Sequence, residues 1–89
     1  MNRKELFSTA LKNSEDVFKR YPFMFPLQSI IEQLKYLIDV DAGATDRSKL
    51  STINIGQVAA RDIDEFDEQL SILLHKVSAE VRAMNSEAR

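Results

Sequence analysis

The sequence predicts an all-α protein, folded as a compact bundle of four to five amphipathic helices. Two observations carry this prediction. Apolar residues recur at steps of three and four along several separate stretches, a spacing that places them on one face of a helix. The 89 residues also include only 2 glycines and 2 prolines, which favours helices over a turn-rich β architecture. We expect residues 1–89 to form a single domain with a frayed tail at residues 84–89.

The first helix is predicted to begin after Asn2, whose side chain can accept a hydrogen bond from an unpaired N–H of the first turn. It ends at Tyr21, because Pro22 disfavours helical geometry in the residue before it. The predicted apolar face consists of Leu6, Phe7, Ala10, Leu11, Val17 and Phe18.

An apolar cluster of Phe23, Met24 and Phe25 stands between the two prolines. It could pack this turn onto the core, or it could remain exposed and bind a partner. We favour packing onto the core, and the residues alone leave both interpretations open.

The second helix is predicted to begin at Pro26, which suits a first helical turn, and to fade near Val40. Its broad apolar face consists of Leu27, Ile30, Ile31, Leu34, Leu37 and Ile38. A loop follows at residues 41–45, where Gly43 can adopt a positive φ. Thr45 or Asp46 can cap the element that comes next.

A short helix or turn is expected after this cap, followed by a third main helix over residues 52–65. Gly56 inside that helix costs about 1 kcal/mol relative to alanine. We therefore expect another backbone to approach closely there, either within the fold, which we favour, or from a partner. Asp67 can cap the fourth helix. The apolar face of that helix consists of Leu70, Leu73, Leu74, Val77, Val81 and Met84.

The acidic segment, residues 62–68, is the most unusual stretch of the chain, because five of its seven residues are acidic. Carboxylates near a helix N-terminus are stabilised by its dipole, so a solvated, helix-capping surface is one explanation. The other is a patch complementary to a basic partner surface. Arg61 and Phe66 would add a donor fork and an aromatic anchor, which are common at binding hot spots. Phe66 also falls on the apolar face of the third helix, so it is a core candidate as well, and the core is the position we favour.

Composition argues against several function classes. The chain has no cysteine and a single histidine, His75 on a polar helix face, so we expect no metal site, no cofactor and no enzyme activity. A net charge of -2 argues against nucleic-acid binding. No apolar run approaches the roughly 20 residues of a membrane span, and no signal peptide is visible, so we expect a cytoplasmic protein.

Landmarks along most of the chain resemble one known family, the small helical immunity proteins that neutralise type VI secretion effectors which hydrolyse NAD and NADP. The landmarks, in order, are Ala10-Leu11, Arg20-Tyr21-Pro22, Gln33-Leu34, Tyr36, Asp46-Arg47-Ser48, Leu50, Gly56, Ala59, Asp64-Glu65, Asp67, Leu70-Ser71 and Leu74. Glu68 departs from the family pattern, in which a proline is expected at the start of the last helix.

The resemblance implies a bacterial cytoplasmic inhibitor that binds the toxin domain of a secreted effector and occludes its active site. The effector could instead have another activity or belong to contact-dependent inhibition. We predict that the toxin is bound by Gln57, Arg61, Asp62, Asp64, Glu65, Phe66, Asp67 and Glu68. The competing hypothesis is a helical adaptor or oligomerisation module, in which the acidic segment serves only solubility. A homo-oligomer of the immunity protein is possible but not indicated, whereas the adaptor would self-associate through its apolar faces.

Overall fold

The computed structural model describes residues 1–87, and these fold into four α-helices without a β-strand. The helices are α1 (Arg3–Arg20), α2 (Pro26–Asp41), α3 (Ile55–Val58) and α4 (Glu68–Glu87), with a 3₁₀ turn at Leu50–Thr52 and a π-helical segment at Ala59–Ile63. The predicted all-α bundle is confirmed.

The two longest helices enclose the core together with α2. Helix α1 packs against both α2 and α4, while α3 and the π-helical segment pack against α4. The largest fully buried side chains come from every helix: Phe7, Leu27, Ile30, Leu34, Leu37, Leu50, Ile55, Ile63, Leu74 and Met84. The helices therefore depend on one another, since each buries its apolar face against its neighbours.

Three local predictions are confirmed. The side chain of Asn2 accepts the N–H of Glu5 at 2.8 Å, which caps α1. The side chain of Asp67 accepts the N–H of Leu70 at 3.0 Å at the start of α4. Gly43 has a φ of 77° in the loop after α2.

The third helix is shorter than predicted, because α3 begins only at Ile55 and ends at Val58, and the π-helical segment that continues it ends at Ile63. The amide of Gln33 on α2 bonds Asn54 twice: Nε2 donates to the side-chain oxygen at 2.7 Å, and Oε1 accepts the backbone N–H at 2.9 Å. These bonds hold residue 54 outside helical geometry. Asp46 caps a turn rather than a helix, since its carboxylate accepts the N–H and hydroxyl of Ser48.

The frayed tail expected at residues 84–89 is wrong for the part that the structure describes. Helix α4 continues to Glu87, and Met84 is fully buried. Glu87 pairs with Arg3 at 2.7 Å and with Arg47 at 3.2 Å, which joins the end of α4 to the start of α1 and to the loop before the 3₁₀ turn. Residues 88–89 lie outside the described residues.

Candidate functional site

The π-helical segment sets the geometry of the acidic segment. The N–H of Asp64 donates to the carbonyl of Ala59 at 2.9 Å, one residue further back than in an α-helix. The carbonyl of Ile63 then accepts the N–H groups of both Phe66 and Asp67. The chain thus turns tightly from α3 into α4 while Ala59 and Ile63 stay buried. Such π-helical insertions often occur at functional sites.

The negative charge of the protein is concentrated at this turn. Residues 61–68 contain one arginine and five carboxylates, whereas the rest of the chain contains eleven basic and nine acidic residues. The turn therefore carries a net charge of -4, whereas the rest of the chain carries a net charge of +2. Such charge asymmetry raises the rate at which a basic partner associates.

The five carboxylates of the acidic segment differ in what they contact. Asp62 pairs with Arg61 at 2.8 Å, and Asp67 caps α4. Asp64 binds two side chains of α4, described below. Glu65 and Glu68 are exposed, and no side chain within residues 1–87 forms an ion pair or hydrogen bond with their carboxylates. These two groups therefore remain free to pair with a partner.

Asp64 joins the acidic segment to α4. Its Oδ1 accepts the hydroxyl of Ser71 and lies 3.0 Å from Nε2 of His75. The Ser71 hydrogen bond, and secondarily His75, hold the pKa of the Asp64 carboxyl below its ordinary value. His75 was expected on a polar helix face, and its contact with Asp64 was not predicted, although Ser71 and His75 share one face of α4.

Asp64, Ser71 and His75 do not form the catalytic triad of a serine hydrolase. In such enzymes the histidine lies between the serine and the carboxylate and accepts the proton of the serine. Here Asp64 lies between Ser71 and His75, so the hydroxyl donates to a carboxylate and is not activated as a nucleophile. The arrangement instead ties the acidic segment to α4.

The predicted site residues lie in neighbouring but distinct places. One shallow pocket is lined by Arg61, Asp62, Asp64, Glu65 and Phe66 together with Ala60. Asp67 lies in a separate hollow beside Arg20 at the end of α1. Gln57 lines a groove between α3 and α4 with His75 and Ser78, and Glu68 is exposed at the start of α4.

Phe66 is half-buried and links this site to the turn between α1 and α2. Its ring packs against the core and meets the rings of Tyr21 and Phe23 edge to face, with centroids 5.1 and 6.3 Å away. We call Tyr21, Phe23 and Phe66 the aromatic cluster. The contact among these three rings was not predicted, because no local spacing in the sequence relates them.

The turn between α1 and α2 does not bridge to the core as a unit. Met24 packs against the core as expected, but the exposed fractions of Phe23 and Phe25 are 64 % and 67 %. The prediction that Phe23, Met24 and Phe25 all pack onto the core is therefore wrong for Phe23 and Phe25, whose side chains are exposed at the surface.

The part of the chain that the structure describes contains neither a metal-binding group of side chains nor a membrane-spanning helix. Nowhere in residues 1–87 do three or more histidine, cysteine or acidic side chains form a group that could hold a metal ion. Over the same residues, every helix is too short or too polar to span a membrane.

The structure is that of a small all-α protein with an acidic turn, and comparison with known families identifies its family. The model of the Tsi6 family matches residues 2–83. The chain belongs to the Tsi6 family, a family of type VI secretion immunity proteins and not of enzymes, which confirms the resemblance noted in the sequence. Searches of curated proteins and of solved structures found no match.

Proposed function

We propose that this protein is an immunity protein that binds a cognate antibacterial toxin and inhibits it by covering its active site. The toxin is an NAD(P)+ glycohydrolase effector of a type VI secretion system, and the inhibitor acts in the bacterial cytoplasm without metal, cofactor or catalysis. Membership of the Tsi6 family over residues 2–83 is the observation that carries this proposal. The class of toxin comes from the resemblance of the landmark residues.

Electrostatics supports the mode of inhibition. A site that hydrolyses NAD or NADP must hold phosphate groups, for which cationic side chains and N–H donors are the usual partners. The exposed carboxylates of Glu65 and Glu68 can pair with those same groups in the absence of substrate. An acidic turn facing a basic cleft speeds association and selects against partners of the wrong charge.

The eight predicted contact residues take different roles in this proposal. Glu65 and Glu68 supply free charge, and Phe66 supplies an apolar anchor. Arg61 and Asp62 contribute as an ion pair. Gln57, Asp64 and Asp67 also contact the toxin. Asp64 and Asp67 keep their hydrogen bonds within the protein when they do so.

Co-expression tests the proposal directly. The protein is produced together with the C-terminal domain encoded by the large gene next to its own, and cellular NAD(P) is measured. A stable complex with NAD(P) restored is the expected result. If the toxin domain expressed alone does not lower NAD(P), a stable complex would retain the immunity role and discard the glycohydrolase. Without a complex or rescue, the proposal fails.

A helical adaptor or oligomerisation module is the second candidate function. The exposed side chains of Phe23 and Phe25 favour it, since apolar surface of this kind also serves self-association. Sedimentation over a range of protein concentrations separates the two functions. An adaptor of this type assembles with itself as concentration rises, whereas the proposed inhibitor stays a discrete unit.

A further inference from the structure

We propose that the aromatic cluster is the apolar anchor of the toxin-binding surface, and that it fits an apolar recess bordered by basic side chains on the toxin. This inference rests on the proposed function and deepens it. The acidic segment alone predicts a basic partner surface. The aromatic cluster adds an apolar contact beside it, contributed by a different part of the chain.

Exposure is the first argument. Phe23 has 64 % of its surface exposed and Tyr21 has 39 %, although aromatic rings carry the largest apolar area to bury. Single exposed apolar residues are ordinary, but rings that contact one another at the surface form a patch. Patches of this kind commonly mark sites of protein interaction.

The rings of the aromatic cluster also contact one another in the unbound protein. The ring of Tyr21 meets Phe66 at 5.1 Å and Phe23 at 6.0 Å, both edge to face. The turn that carries it is held by backbone hydrogen bonds from Met24 to Tyr21 and from Phe25 to Phe23, each 2.9 Å long. A preorganised anchor loses little conformational freedom on binding, which favours affinity.

Continuity with the acidic segment defines the partner. Phe66 belongs to both surfaces, because it contacts Tyr21 and Phe23 and also lines the pocket with Arg61 and Glu65. The border of this apolar centre is acidic on the side of the acidic segment, while the Arg20 guanidinium lies 5.7 Å from the centroid of the Tyr21 ring on the other side. Such a surface is complementary to an apolar recess bordered by basic side chains where it faces the acidic segment. Binding energy is usually concentrated in such buried aromatic anchors, while charges at the border set the association rate.

The negative charge of the acidic segment argues against two other occupants of this surface. If a second copy of the chain paired through this surface by a two-fold axis, the two acidic segments would face each other and repel. An anionic lipid surface would repel the segment as well. A basic protein surface is the occupant to which the charge of this region is complementary.

Two phenylalanines in one turn provide a matched test. Phe23 belongs to the aromatic cluster, whereas Phe25 is equally exposed but makes no ring contact within residues 1–87. Affinity for the purified toxin domain is measured for the wild-type protein, Phe23→Ala and Phe25→Ala. We expect Phe23→Ala to weaken binding by about 30-fold or more, mainly through faster dissociation. Phe25→Ala should stay within about threefold of wild type, because a side chain outside the anchor contributes little.

Varying the salt concentration distinguishes the contribution of the apolar anchor to binding from that of the acidic border. The loss caused by Phe23→Ala should be equal at about 50 mM and about 500 mM NaCl, because apolar contacts are not screened. Circular dichroism should show both variants folded as in wild type.

Each other outcome overturns the inference in a recognisable way. An unaffected Phe23→Ala, or equal losses in both variants, would remove the cluster as anchor while leaving the immunity role intact. If the wild-type protein self-associates and Phe23→Ala abolishes this, the occupant is a second copy. If the wild-type protein does not bind the toxin, the proposed function fails together with the inference.

Discussion

Gly56 on α3 lies so close to Ser78 on α4 that a Cβ atom at position 56 would stand 2.9 Å from the Cβ of Ser78. Ser78 cannot yield easily, because its Cβ is attached directly to the helix backbone. We therefore expect Gly56→Ala to lower the free energy of unfolding by about 1–3 kcal/mol, the usual cost of overpacking. Urea unfolding monitored by circular dichroism measures this change.

The sign of the Gly56→Ala effect is informative. At an open helical site the same substitution would stabilise the protein by about 1 kcal/mol, so a gain in stability would contradict the close packing. Gln57→Ala, at the exposed neighbouring position, serves as the control and should change stability by no more than about 0.5 kcal/mol. Adding Ser78→Gly to Gly56→Ala should relieve the overlap, so the two effects will not add.

Ser14 is fully buried in α1, and its hydroxyl has no hydrogen-bond partner within residues 1–87. Burying an unpaired hydroxyl costs about 1–3 kcal/mol. Ser14→Ala removes this group at nearly constant volume, so we expect a more stable protein. Ser8→Ala, at an exposed position of the same helix, corrects for helix propensity. Thermal or urea unfolding should show Ser14→Ala stabilised by about 1 kcal/mol more than Ser8→Ala; equal effects would mean that the hydroxyl is satisfied.

The cap formed by Asp67 should be visible in stability. Asp67→Ala removes the acceptor of the Leu70 N–H and is expected to cost about 1 kcal/mol in urea unfolding. Asp67→Asn should retain most of the stability, since an amide oxygen also caps. Glu68→Ala, one residue later and exposed, is the control; it loses only a salt-screened interaction with the helix dipole, so at physiological salt it should cost less than Asp67→Ala. If Asp67→Asn is as damaging as Asp67→Ala, charge rather than capping is what matters at this position.

Charge reversal at the two free carboxylates tests the acidic segment without disturbing the fold. Glu65→Lys with Glu68→Lys should slow association with the toxin domain about tenfold or more at low salt, and much less at high salt. The matched control is Glu32→Lys with Asp39→Lys, which makes the same change in net charge at exposed positions of α2. Stopped-flow or surface-binding kinetics measure both. Equal slowing by the two double variants would indicate a general effect of net charge rather than a contact by the acidic segment.

Reversing Asp64 or Asp67 would be a poorer test of the same idea. Asp67 caps α4, and Asp64 holds Ser71 and His75, so a lysine at either position would disturb folding as well as binding. The structure thus separates carboxylates that support the fold from carboxylates that are available to a partner.

The ion pairs of Glu87 should make stability depend on pH. Hydrogen bonds from Arg3, and then from Arg47, lower the pKa of Glu87 below its ordinary value of 4.5. A carboxyl whose pKa is lower in the folded state stabilises the protein above its unfolded pKa and loses this effect as pH falls through the folded pKa. Glu87→Gln should therefore be less stable than wild type at neutral pH, and the difference should shrink on acidification to about pH 3. Urea unfolding across this pH range measures it, and a difference that does not vary with pH would mean that the carboxylate charge is not responsible.

Much of the fold could be predicted from local rules. The long helices α1, α2 and α4 were expected from apolar spacing, and the caps at Asn2 and Asp67 from residue type. Each of these features depends on residues within a few positions of one another, so the information lies in a short stretch of sequence. The third helix was predicted too long because its start depends on Gln33, which belongs to another helix.

The candidate site likewise combines features that the local sequence predicts with features that depend on tertiary contacts. The sequence determined by itself that an all-α chain carries one acidic turn before its last helix, because apolar spacing and charge composition are local properties. Only the tertiary structure decided which carboxylates are free, and that Phe23 and Tyr21 meet Phe66 beside them. The physical reason is that these contacts join residues distant in sequence, which become neighbours only when α1, the turn after it and α4 pack around a common core.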